Sequence, residues 1–266
     1  MEIGRRAVLA GAGGVAGLSA LAAATGQAAD EDYSRPFVQN STRREEIALL
    51  IYPGMTVLDV VGPYHFLCFM AGAKVHLVTN QASLAPVVSD AGMGMVPSTT
   101  MEDCPRDVDL VLVPGGTSGT LAAAKDARTL NFLRDVGGRA RYVSSVCTGS
   151  LVLGAAGLLR GRRATSHWSV IDCLAQFGAR PVRERFVEDG NVITAAGVSA
   201  GLDSSIVLLE RLRGRPLAEA AVLATEYAPR PPLSGGTIDT ARPEILRAVG
   251  DDLRPFVDKA STLVVG

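Results

Sequence analysis

The sequence predicts an α/β fold: a three-layer sandwich with a mostly parallel central sheet and a nucleophile elbow after a central strand. Three observations predict it. Continuous apolar runs of strand length, IALLIY (47–52) and DLVLVP (109–114), lack alternation, as parallel strands covered on both faces do. Helix-like segments alternate with such runs along the chain. The stretch YVSSVCTGS (142–150) then carries a β-rich run straight into Cys147, Thr148 and Gly149, followed by the helix-like SLVLGAAGLL. Strand, sharp corner and helix in that order make an elbow, with Cys in place of Ser.

Composition limits the alternatives. The chain has 266 residues, 47% of them apolar, and a formal net charge of -1. That suits one α/β domain with a large core. Near-neutral charge gives no electrostatic drive toward nucleic acid, so none is expected as a partner. The cysteines Cys68, Cys104, Cys147 and Cys173 form no CxxC pair, and His65, His76 and His167 form no HExxH or HxH pattern. Neither a metal nor another cofactor is expected.

Residues 1–29 stand apart from the rest. Arg5 and Arg6 in GRRAVLA precede a weakly hydrophobic Ala/Gly/Leu run, and Gly26-Gln27-Ala28 offers small residues for cleavage. This reads as a twin-arginine export signal and a periplasmic or extracytoplasmic protein, without the Ser or Thr often found before the arginines. Gly and Ala supply too little transfer energy for a permanent membrane span, though an uncleaved, anchoring signal stays open. Changing Arg5 and Arg6 together to Lys should retain the protein in the cytoplasm. Cell fractionation that still finds it exported would refute the signal.

Residues 30–46 are a polar linker, and the fold proper runs over 47–232, with 233–266 as a C-terminal extension. Pro53-Gly54 ends the first strand, and Asp59 to Met70 reads as a helix. KVHLVT (74–79) is a second strand, and 86–100 a hairpin or strand pair at the sheet margin. DLVLVP ends in Gly115-Gly116, and 121–136 is helix-like. After the elbow helix come a short strand at 164–168 and a helix at 170–177. RFVEDGNVITAAG (185–197) makes a hairpin at Asp189-Gly190 whose second arm can join the main sheet. Helices at 199–212 and 217–227 follow, and a terminal helix within 241–263 is expected to break near Gly250 and Pro255. Cys68 is expected on the core face of its helix, Cys173 among apolar residues, and Cys104 exposed.

Ligands of such sheets sit beyond the carboxyl ends of the strands. Asp59, Gly115-Gly116 and Cys147 all fall there. The elbow also sets Cys147 at a helix N-terminus, where N–H groups and the helix dipole favour a thiolate. Cys147 as a nucleophile and Cys147 as a buried apolar residue both remain open on local sequence. The company of Asp59 and the glycine pair favours the nucleophile.

The string VCTGSLVLGAAGLLRGRRATSHW, with LDVVGP (58–63) and VPGGT (113–117) upstream and EYAPRPP downstream, resembles the isonitrile hydratase branch of the ThiJ/PfpI superfamily. The resemblance spans roughly Ile47 to Pro232 and implies a flavodoxin-like fold of the class I glutamine amidotransferase type. It implies Cys147 as nucleophile, Asp59 as the acid exchanging protons with it, and Thr148 as the residue positioning the reacting group. Gly115 or Gly116 would offer a backbone N–H to developing negative charge. The implied substrate is a small molecule, the implied assembly a homodimer, and the implied activity that of a hydro-lyase.

Departures from related patterns discriminate. Proteases of the superfamily carry His directly after the nucleophile, where this chain has Thr148, so a peptidase lacks its general base. Amidotransferases need a downstream His that no comparable segment supplies. His167, in TSHW, is expected to hold a turn rather than react. Asp59 could equally cap its helix, and one residue can do both. Domains of this fold also serve as ligand-sensing halves of AraC-type regulators, but only 33 residues (266 minus 233) follow Leu233, with no basic recognition helix. Redox-sensing members place a Glu beside the thiol instead of an Asp, and glyoxalase-like members also combine a reactive Cys with an acid.

Overall fold

The computed structural model describes residues 43–266, so the export signal expected over 1–29 and nearly all of the linker expected over 30–46 lie outside the described residues. The elements in chain order are β1 (Glu46–Ile51), α1 (Leu58–Leu67), β2 (Lys74–Thr79), β3 (Val87–Val88), β4 (Gly94–Met95), β5 (Thr99–Thr100), β6 (Leu110–Val113), α2 (Ser118–Ala123), α3 (Ala127–Gly137), β7 (Tyr142–Val146) and α4 (Gly149–Ala155). Then come β8 (Arg163–Ala164), a 3-10 helix (Ile171–Phe177), β9 (Arg180–Pro181), β10 (Phe186–Asp189), β11 (Val192–Ala195), α5 (Ala200–Arg213), α6 (Arg215–Ala224) and α7 (Pro243–Ala260).

The main sheet has seven strands in the order β10-β11-β7-β6-β1-β2-β5. All neighbours pair in parallel except β10 with β11, the expected hairpin, whose second arm does join the sheet. Beyond Glu46 and Tyr142 at the starts of β1 and β7, the interior strands β1, β6 and β7 hold only apolar or small residues, all of them buried. That burial is why their sequences run without alternation. On one face α1 packs against α5 and α5 against α6; on the other, α4 contacts α2, α3 and the 3-10 helix. From β1 the chain winds outward through β2 and β5, then returns to β6 on the far side and proceeds to β7 and β11. The loops after β1 and β6 meet at this switch point, the usual ligand position in open α/β sheets: Met55 and Gly116 form an isolated bridge, and the Thr56 N–H donates to the Gly115 carbonyl at 2.9 Å.

Several expectations are corrected. The helix foreseen over 121–136 is two, because Asp126 caps α3: its carboxylate accepts the Arg128 and Thr129 N–H groups at 3.3 and 3.2 Å. The strand foreseen at 164–168 shrinks to β8, which pairs only with β9 outside the main sheet. Its continuation is drawn toward the elbow, where the Thr165 N–H meets Thr194 Oγ1 at 2.9 Å and Ser166 Oγ donates to the Cys147 carbonyl at 3.1 Å. The helix foreseen at 170–177 is a 3-10 helix. In the 86–100 region β3 and β4 form a separate hairpin, while β5 extends the main sheet beside β2.

The terminal helix does not break: α7 runs through both Gly250 and Pro255. Pro255 sits on the exposed side, where water can satisfy the carbonyl one turn back, while Phe256, Ala260 and Leu263 are buried. Packing outweighs the local penalty. The Gln176 amide also donates to the Ala260 carbonyl at 2.9 Å, and the Gly266 N–H to the Ala155 carbonyl at 3.0 Å. The cysteine expectations are reversed in two cases. Cys68, at the end of α1, is exposed, and Cys104 is buried in the turn after β5, its N–H bonded to the Thr100 carbonyl. Among the described residues no helix is long and apolar enough to cross a membrane.

Candidate active site

The site is built where three strand ends meet. Cys147 follows β7 directly and takes φ 58°, a left-handed conformation rare outside glycine. Such a backbone costs about 1–3 kcal/mol and persists only where surroundings over-determine it. Here they do. The Cys147 N–H reaches the Ala195 and Ala196 carbonyls at 3.1 and 2.8 Å, and its own carbonyl accepts the hydroxyls of Ser166 and Ser150 at 3.1 and 3.3 Å. The corner also needs Gly149, because a Cβ there would stand 2.6 Å from the Pro114 carbonyl oxygen. Pro114 and Gly115 after β6 are thus pressed against the elbow, and a Cβ on Gly115 would lie 2.7 Å from Thr148 Oγ1.

Cys147 is 5% exposed. Burial pushes its ionisation well up, and the Asp59 charge pushes it further. The Thr148 N–H, the Thr148 hydroxyl and the Val198 N–H favour the ionised form and partly offset this. The expected preference for thiolate at a helix N-terminus is therefore not the resting state. The helix is only seven residues long, and desolvation outweighs its dipole. The proton must leave to a specific base.

Asp59 stands in the first turn of α1 and is fully buried. Val57 occupies the cap position, so the carboxyl is not spent on capping the helix. Its Oδ2 accepts the Gly115 N–H at 2.8 Å, while Oδ1 has no hydrogen-bond partner. Burial raises its pKa to about 7; the Gly115 bond opposes this and the charge of Asp90 adds to it. A carboxyl with a free oxygen and a midpoint near neutrality can both take and give a proton at working pH. Leaving such an atom unpaired in the interior is costly, and buried orphans of this kind concentrate at functional sites.

The glycine pair departs from expectation. Neither Gly115 nor Gly116 presents a free N–H to a reacting group: the first donates to Asp59, and the second to Thr148 Oγ1 at 2.9 Å. Their role here is to aim the acid and the threonine. The backbone groups that favour the ionised sulfur are instead those of Thr148 and Val198. Val198 carried no sequence signal, since any residue supplies a backbone N–H. His167 turns away into its own loop, its Nδ1 2.8 Å from Ser169 Oγ, and burial lowers its pKa so that it stays neutral. His65 lies on α1 within 3.1 Å of Thr225 Oγ1, and His76 on β2 beside Glu46.

Among the described residues no group of three His, Cys, Asp or Glu side chains is placed to hold a metal ion. Two surface grooves, one bordered by Met101, Arg106 and Phe132 and the other by Ile206, Ala218 and Leu223, include none of the site residues. The arrangement is thus a thiol, a carboxyl near neutrality and a short set of donors in a dry interior. It can form and break a covalent bond to a small electrophile while shuttling one proton.

Comparison with known proteins bears on which electrophile. The DJ-1/PfpI family model matches residues 45–211. The chain is 47% identical over 196 residues to an isonitrile hydratase of Pseudomonas putida, covering 74% of this chain and 84% of that protein. It is 34% identical over 179 residues to the HTH-type transcriptional regulator CdhR of Pseudomonas aeruginosa, covering 65% of this chain but 52% of the regulator. Among solved structures, a ThiJ/PfpI family protein from Pseudomonas syringae superposes with a TM-score of 0.81 at 51% identity, covering 83% of this chain and 90% of that one.

Proposed function

The chain belongs to the DJ-1/PfpI family, and from that premise we propose that it hydrates isonitriles to N-substituted formamides, with Cys147 as nucleophile and Asp59 as proton carrier. The observation that carries the reading is the unpartnered, fully buried Asp59 oxygen in a site whose buried thiol feels the Asp59 charge. Asp59 accepts the Cys147 proton, and the thiolate adds to the terminal carbon of the isonitrile. Asp59 returns the proton to that carbon, giving a thioimidate. Water then adds to the thioimidate carbon, the C–S bond breaks, and the thiol regains its proton as the formamide leaves. One molecule of water is consumed, and the scheme requires no cofactor. Thr148, close to the sulfur, donates to the charge that develops there. Purified protein should convert a panel of alkyl and aryl isonitriles to the formamides. Absence of turnover across the panel would reject isonitriles as the substrate class.

We further propose a homodimer formed through α1. Its outer face sets Leu58, Val61 and Tyr64 in a row at 42%, 42% and 38% exposure, beside the exposed Cys68. Apolar residues three apart on one helix face form a stripe that a second copy can cover. Light scattering should give twice the chain mass for the wild type and the monomer mass for Val61→Asp. A monomeric wild type would contradict the assembly.

A further inference from the structure

A row of buried hydroxyls runs beneath the site, and of its members only Thr148 has a part in the proposed reaction. The Tyr52 hydroxyl donates to the Pro114 carbonyl at 2.5 Å and lies 3.2 Å from Thr120 Oγ1. Thr120 Oγ1 is in turn 2.8 Å from Thr148 Oγ1 and 3.1 Å from the Gly116 carbonyl. Thr148 Oγ1 accepts the Gly116 N–H and donates to the Gly116 carbonyl at 2.6 Å. All three side chains are buried.

The Thr148 hydroxyl has one proton and two claims on it. At rest the Gly116 carbonyl holds it; once the thiol ionises, the Cys147 sulfur needs it. Turning it to the sulfur would deprive a buried carbonyl of that donor, which a dry interior penalises. Thr120 resolves the conflict, since its own O–H already reaches the same carbonyl.

We infer that Thr120 is a positioning residue for Thr148: its hydroxyl takes over the Gly116 carbonyl when Thr148 turns its proton to the Cys147 sulfur. Tyr52 holds Thr120 and the Pro114–Gly116 loop from below. Burial raises the Tyr52 ionisation far above its ordinary value, so it remains a neutral donor. Only hydrogen bonds are exchanged, and no atom is transferred. The inference rests on the thiolate chemistry proposed above, but not on the identity of the electrophile.

The test is alkylation of Cys147 by iodoacetamide as a function of pH in the full chain, read on the Cys147 peptide by mass so that the exposed Cys68 does not contribute. The titratable groups facing the thiol, Asp59 on α1 and Tyr52 after β1, are kept in every variant. Thr120→Val should raise the apparent thiol pKa by about one unit and lower kcat on an isonitrile about 10- to 100-fold, with KM within about threefold. Thr120→Ser, which restores the hydroxyl, should recover most of both losses, and Thr120→Ala should repeat the Val result if the Val side chain does not fit. An alkylation profile of Thr120→Val or Thr120→Ala that superposes on the wild type would overturn the inference. A wild type that alkylates normally but turns over no isonitrile would instead reject the substrate reading, leaving the profiles to decide on Thr120.

Discussion

Replacing Cys147 by Ala is expected to abolish formamide production, with a loss of at least about 1,000-fold, while the protein stays folded. No other group near the reaction centre can form the covalent adduct. The remaining cysteines do not substitute: Cys68 and Cys173 lie outside the elbow, and Cys104 is buried in the turn after β5. The fold should tolerate the change. The elbow is held by backbone bonds from Cys147 to Ala195 and Ala196 and by the hydroxyls of Ser166 and Ser150, none of which involves the sulfur. Loss of the sulfur's packing costs about 1–2 kcal/mol, a shift of a few degrees in melting temperature. Retained turnover in Cys147→Ala would remove covalent catalysis.

Asp59→Asn carries the second large effect. It keeps an acceptor for the Gly115 N–H but removes the proton carrier, so kcat/KM should fall by about 100- to 10,000-fold. The pH profile gives a sharper signature. The Asp59–Cys147 pair reacts when it holds one proton. Below the Asp59 midpoint of about 7 it holds two, so wild-type kcat/KM should rise as pH increases through about 7. That acid limb should be absent in Asp59→Asn.

Stability should move the opposite way. The folded pKa of Asp59 lies above its ordinary value of 3.8, so between these values the native state binds more protons than the unfolded chain. Its contribution is then most favourable at low pH and declines as pH rises toward about 7, where a buried charge must be tolerated. Asp59→Asn should accordingly be more stable than wild type at pH 8, by about 1–3 kcal/mol, with the difference shrinking toward pH 4. Denaturant melts at the two pH values test this. A variant equally stable or weaker at pH 8 would contradict the buried, near-neutral carboxyl.

Much of the site was legible because its chemistry lies on strand ends that the sequence marks. A buried parallel strand announces itself by an unbroken apolar run, so the positions after Ile51, Val113 and Val146 could be located without coordinates. Asp59, the glycine pair and Cys147 then share one sheet edge. The roles of the glycines were less legible, because a free and a committed N–H look identical in sequence. Tyr52 and Thr120 were missed for a related reason. A tyrosine closing an apolar strand reads as core, and a threonine just before the helix-like run from Leu121 reads as a helix start; only tertiary contact joins them to Thr148. Cys68 and Cys104 were misplaced because burial at an element's end depends on its last turn, which local periodicity does not fix. Pro255 misled because a helix breaker was weighed without the anchoring of Phe256, Ala260 and Leu263 beside it.

The central claim, that Cys147 attacks an isonitrile carbon with Asp59 managing the proton, is tested most directly by trapping the adduct. Wild-type protein mixed with excess isonitrile and quenched within the first turnovers should gain the mass of one isonitrile, mapped to the peptide bearing Cys147. On dilution that mass should disappear as one equivalent of formamide is released. Formamide production with no adduct at Cys147, or with the adduct on another cysteine, would contradict the account.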